Sequence, residues 1–132
     1  MKLSRGLDSN FILIAIIMLM FDVVYLSTVG SKIFVPMLNK IQREKMNFKI
    51  IPTIICYLLL VFVLNYFIVS EKKSGFDAFI LGVCIYGVYE TVNLATINKW
   101  KNDAAIIDTL WGGTLFYMTT VITYYLKKKF KI

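Results

Sequence analysis

The sequence contains no histidine, only two cysteines and two prolines, and few charges, with 17% of its 132 residues being Asp, Glu, Lys or Arg. Each shortage removes a class of function. Without imidazole there is no His-based metal site and no Ser–His or Cys–His catalytic arrangement. Cys56 and Cys84 both lie inside apolar runs and make no secreted-type disulfide framework. Neither has a basic neighbour in sequence that would hold it as a reactive thiolate, so both are read as packing residues. A soluble domain carries roughly 25% charged and 45–50% apolar residues. Here 58% of residues are hydrophobic, and one domain of this length could not hide so much apolar surface from water. An ordinary soluble enzyme and a disordered chain are therefore excluded, and the chain belongs in a lipid bilayer.

What charge there is leans one way, with 15 Lys+Arg against 8 Asp+Glu. The basic residues sit almost wholly between or beyond the apolar runs, as membrane-flanking residues do. No basic region stands apart from these runs, so no nucleic-acid partner is expected. Membrane lipids are the expected surroundings.

A transmembrane helix needs roughly 20 mostly apolar residues. Four stretches qualify: 10–29, 50–69, 76–97 and 104–126. Lipid offers no partner for backbone N–H and C=O groups, which makes these segments helices, and they lack the alternation of barrel strands. The expected fold is all-α, a single membrane domain over 1–132 built as an integral membrane bundle of four transmembrane helices. The N-terminus resembles a signal-peptide n-region, but its apolar run is too long for one, so it is read as a retained first helix. After it, Ile33, Phe34, Met37, Leu38 and Ile41 recur at helical spacing, with Lys32, Asn39, Lys40 and Arg43 largely opposite. That pattern predicts a short amphipathic helix at the interface, with an ordered basic loop as the alternative. The turns at 70–75 and 98–103 are short enough to make antiparallel hairpins.

Orientation rests on a narrow margin. Lys2, Arg5, Lys72, Lys73, Lys127, Lys128, Lys129 and Lys131 fall on one side, and Lys32, Lys40, Arg43, Lys45, Lys49, Lys99 and Lys101 on the other. Eight against seven does not decide a topology by the positive-inside rule. The dense C-terminal lysine cluster tips the expectation towards both termini being cytoplasmic.

Three acids lie inside the spans: Asp22, Glu90 and Asp108. A charge near the bilayer centre costs a few kcal/mol on insertion scales, so such residues face the bundle interior. No Lys or Arg lies within any expected span to neutralise them. At about 1.5 Å per residue, all three sit roughly 6–11 Å below the same surface. Pro52, Thr53, Cys56 and Tyr57 of the second span reach a similar level. Helical spacing then places Gly82, Tyr86, Glu90, Asn93 and Ile97 on one face of span three, Asp108, Trp111, Gly112 and Leu115 on span four, and Met18, Asp22 and Tyr25 on span one. The expected pocket is formed by Asp22, Tyr25, Tyr57, Tyr86, Glu90, Asn93, Asp108 and Trp111, opening towards the basic first loop.

Carboxyls crowded in a low dielectric repel one another, which suits a group that takes up protons or cations. The functional expectation is a small proton- or cation-handling transporter or channel-like protein, and self-association as a homo-oligomer would help four short helices enclose a pathway. An intramembrane enzyme acting on a lipid or isoprenoid is the alternative, as is a structural or accessory protein whose polar cluster only fixes packing. No phosphate loop or cofactor motif occurs, so no cofactor or metal is expected. Gly82, Gly87, Gly112 and Gly113 are read as sites of close helix approach, Trp100, Tyr124 and Tyr125 as interfacial anchors, and Asn65 as bonding a neighbour.

The stretch Tyr86, Tyr89, Glu90, Asn93, Leu94, Ala95, Thr96, followed by Trp100, Asp108, Trp111 and Gly112, resembles the domain-of-unknown-function 2177 family of four-span membrane proteins. Asp22 matches the family's aspartate in the first span. Glu90 stands where Asp is usual, Val92 where Thr is usual, and Tyr25 where a Trp commonly follows the first Asp. The resemblance spans nearly the whole chain. It implies four helices and a role for the acidic constellation, and it carries no activity with it.

Overall fold

The computed structural model describes residues 2–132, and every regular element among them is helical. Four long helices carry the chain: α1 Asn10–Gln42, α2 Ile50–Val69, α3 Gly75–Thr96 and α4 Asn102–Phe130. All four are long and apolar enough to cross a membrane.

The amphipathic stretch expected as a separate helix is instead the continuation of α1. The helix is regular from Asn10 to Tyr25, widens to π geometry over Leu26–Phe34, and resumes as Val35–Gln42. The residues explain the widening. Pro36 has no N–H to donate, and its ring crowds the carbonyl four residues back. Just before it, the hydroxyls of Thr28 and Ser31 bond back to the carbonyls of Val24 and Ser27 at 2.7 and 2.8 Å. Val35 N–H accordingly reaches Gly30 O, one residue further back than in an α-helix. Arg43 ends the helix with φ 57°.

The other helices end for local reasons too. Ser74 and Asp77 form a reciprocal capping box at the start of α3, with Asp77 N–H donating to Ser74 Oγ at 3.1 Å. α2 closes in a short π segment, Asn65–Val69, and then in a left-handed turn at Lys72. Lys72 N–H and Lys73 N–H there bond the carbonyls of Val69 and Ile68. α4 outruns its expected end and covers Lys127, Lys128 and Lys129, whose charges suit a helix C-terminus.

Contacts gather the termini and the α2–α3 turn at one end. Arg5 pairs with Glu71 at 2.8 Å, Lys127 Nζ donates to Asn10 Oδ1 at 2.5 Å, and Tyr124 OH donates to Lys73 O at 2.6 Å. Asn65 Nδ2 bonds Asp8 Oδ1 at 2.9 Å, as a buried amide must find a partner. At the other end, Met37 packs with Trp100, Ala104 and Ala105, flanked by Phe34, Leu38 and Ile97.

Between the ends lies an apolar layer of Ile14, Met18, Val61, Leu64, Leu115 and Phe116, all buried. The outward faces are as apolar as this layer: Ile12, Ile16 and Met20 on α1, and Ile51, Ile54 and Leu58 on α2, are exposed. That pattern suits a bundle solvated by acyl chains, where close packing and not water exclusion holds helices together. α3 and α4 pack most extensively of all pairs. A Cβ on Gly82 would overlap the Gly112 carbonyl, and one on Gly112 would overlap the Tyr86 ring. Gly87 differs from this expectation, since a Cβ there would make only an ordinary 3.5 Å contact with Thr109. Cys56 and Cys84 are exposed on the helix surfaces and do not pack in the core.

Candidate functional site

The site forms where the regular part of α1 ends. Asp22 is buried there, in a chain region whose only polar partners come from other helices. Trp111 Nε1 of α4 donates to Asp22 Oδ1 at 2.8 Å. Tyr57 OH of α2 donates to Asp22 Oδ2. Both carboxyl oxygens thus have a donor, and three helices are joined through one side chain.

One turn further along α1, Tyr25 OH donates to Asp108 Oδ1 at 3.1 Å. The Tyr25 and Trp111 rings are stacked, with centroids 4.6 Å apart. Tyr86 lies edge-on to Phe116 at 6.5 Å and fills the space left by Gly112. It sits within electrostatic range of Asp22 and Asp108.

Glu90 is 1% exposed. Trp100 Nε1 donates to its Oε1 at 2.7 Å, while Oε2 is buried and receives no hydrogen bond. Asp108 lines the same cleft as Glu90. Asn93, one turn beyond, stands apart from this network. Its Nδ2 is buried without a partner.

Of the eight residues singled out in the sequence, Asp22, Tyr25, Tyr57, Asp108 and Trp111 form one continuous set of hydrogen bonds and stacking. Glu90 shares a cleft with Tyr25 and Asp108, Tyr86 packs at Gly112 beside Trp111, and Asn93 Nδ2 has no hydrogen bond to the set. Trp100 corrects the expectation of an interfacial anchor, being 8% exposed with its indole N–H on Glu90. The Tyr124 hydroxyl donates to the backbone carbonyl of Lys73 in the α2–α3 turn.

Glu90 and Asp108 line a cleft of about 200 Å³. Its walls include Tyr25, Phe34, Leu38, Tyr89 and Trp100, together with Met46 and Phe48 of the α1–α2 loop. No Lys or Arg lines it. The aromatic wall escaped notice in the sequence because Phe34 and Phe48 are ordinary apolar residues there. Tyr25 was expected in the pocket, while Tyr89 and Trp100 stood out only within the motif that carries the family resemblance.

Residues 9–125 match the family model of DUF2177, described as a predicted membrane protein. The chain belongs to this family. No curated protein and no solved structure matches it. Every residue of the carboxyl network falls inside the matched part of this DUF2177 protein. It is a membrane protein whose outer helix faces contact lipid.

Proposed function

We propose that this DUF2177 protein is a small proton- or cation-handling transporter or channel-like protein, with Asp22, Glu90 and Asp108 as its ionisable site. The observation that carries the reading is Glu90, buried at 1% exposure with one carboxyl oxygen unbonded and no basic residue lining its cleft. A carboxyl that only joins helices has donors on both oxygens, and Asp22, fully bonded in this way, anchors the site by tying α1 to α2 and α4. Glu90 lacks a second donor, and the carboxyl of Asp108 lines the same cleft. Two carboxyls in one cleft with no basic residue lining it are suited to taking up a proton or a cation.

The chain acts in this reading as a single membrane domain, with both termini cytoplasmic on the strength of its C-terminal lysines. The cleft then opens on the opposite side, and the apolar layer of Met18, Leu64, Leu115 and Phe116 separates it from the cytoplasmic end. Association into a homo-oligomer would help four helices frame a pathway.

The test is flux. Full-length protein reconstituted in liposomes with a trapped pH dye should dissipate an imposed proton or cation gradient, and Glu90→Gln should abolish this while keeping its thermal unfolding profile. Absence of any flux, with Glu90→Gln changing only the melting temperature, would reduce the cluster to packing. A lipid that co-purifies and depends on the same carboxyls would favour the enzyme instead.

A further inference from the structure

We infer that the Glu90–Asp108 cleft binds an organic cation, an ammonium group carried on a compact apolar or aromatic body. The inference rests on the cluster being a cation site and names the class of cation it takes. A hard inorganic cation surrounds itself with about six oxygen ligands. The side-chain oxygens lining this cleft are the two carboxyls and the hydroxyls of Tyr25 and Tyr89, and Tyr25 already gives its hydroxyl proton to Asp108.

The remaining walls are carbon. Phe34, Phe48, Tyr89 and Trp100 present aromatic surface around the carboxyl pair, and aliphatic residues such as Leu26, Val35 and Leu38 add to the lining. Aromatic faces attract an alkylated ammonium group while leaving its apolar substituents dry, which they cannot do for a hydrated metal ion. The buried oxygen Glu90 Oε2, without a donor of its own, is the group left over to meet the positive charge. Size agrees. A cavity of about 150 Å³ admits benzene, so about 200 Å³ takes a group somewhat larger than one ring.

Trp100 both lines the cleft and bonds Glu90, so its fluorescence reports occupancy. Full-length protein in lipid nanodiscs is titrated with benzyltrimethylammonium, with its uncharged carbon isostere neopentylbenzene, and with sodium chloride. The expected result is a saturable change with benzyltrimethylammonium alone. Its half-saturation should rise at least tenfold in Glu90→Gln and in Asp108→Asn. Phe48→Ala, a change at an exposed loop residue that spares the helix packing, should raise it severalfold. An equal response to neopentylbenzene would overturn the inference, since apolar partition alone would explain it. So would the lack of any saturable response in wild-type protein. If proton flux in liposomes persists in that case, the site handles protons or inorganic ions and only the organic ligand is lost. If flux is absent too, the transport reading falls with it.

Discussion

Tyr25 and Trp111 lie ring on ring, 4.6 Å between centroids and 0° between planes, yet each gives its hydrogen bond to a different carboxyl. Tyr25 donates to Asp108 and Trp111 to Asp22. The stack therefore spaces two acids that would otherwise repel each other, and ties α1 to α4 by both dispersion and hydrogen bonding.

Replacing Trp111 by Phe keeps the aromatic stack but removes the donor to Asp22. Loss of one hydrogen bond to a buried carboxyl should cost about 1–3 kcal/mol. Tyr125→Phe, at an exposed ring, is the matched control and should be neutral. Thermal unfolding in detergent or nanodiscs compares the two, and equal melting temperatures would dismiss the Trp111–Asp22 bond as a stabilising contact.

The two α3 glycines should respond in opposite ways. Gly82→Ala forces a methyl into the Gly112 carbonyl and should destabilise by about 1–3 kcal/mol through overpacking. Gly87→Ala meets only Thr109 at 3.5 Å and should be neutral or slightly stabilising. A common effect of both substitutions on the unfolding midpoint would contradict the close α3–α4 approach.

Trp100 should behave as an interior residue. In a Trp111→Phe background it is the remaining tryptophan, because the chain has two. A water-soluble quencher such as iodide should then reach it poorly, and Glu90→Gln should shift its emission by changing the partner of the indole N–H. Efficient quenching by iodide would restore the interfacial anchor.

Lys72 holds a left-handed backbone, φ 55°, in an exposed turn. An L-residue pays about 1–2 kcal/mol for that conformation, whereas glycine adopts it freely at a cost of about 0.4–1 kcal/mol in unfolded-chain entropy. Lys72→Gly should raise stability by up to roughly 1 kcal/mol, the remainder of those two terms. A lower melting temperature would show that the lysine side chain itself matters there.

Arg5 and Glu71 form an ion pair with both side chains partly exposed, 35% and 42%. Screening limits such a pair to under about 1 kcal/mol. Glu71→Gln should therefore change the unfolding midpoint slightly at low salt and not at all at high salt. A large loss that persists in high salt would assign Arg5 a further structural role, for which its guanidinium over the Tyr66 ring at 4.4 Å is the evident basis.

Much of the site was legible before any coordinates. Asp22, Glu90 and Asp108 could be set at one level because the rise of a helix is fixed by its own backbone hydrogen bonds. Tyr57 could be brought to that level in the same way. What spacing left open was rotation. Asn93 shares the face of Glu90 by periodicity, yet its Nδ2 is buried without a hydrogen bond to the network. Trp100 read as a boundary residue because it adjoins a polar turn, and only the fold of that turn aims its indole inward.

The amino-acid sequence on its own determined the solvent and the depths. Long apolar runs demand acyl chains around them, a spanning backbone must be helical, and a helical rise puts each acid at a set height. The tertiary structure decided the rest: which hydroxyl or indole meets which carboxyl, that Glu90 keeps one oxygen unbonded, and that a cleft remains beside it. Those outcomes depend on how neighbouring helices rotate, approach and bend, here at Pro36 and between Gly82 and Gly112. They arise from contacts between residues far apart in the chain, which no local periodicity records.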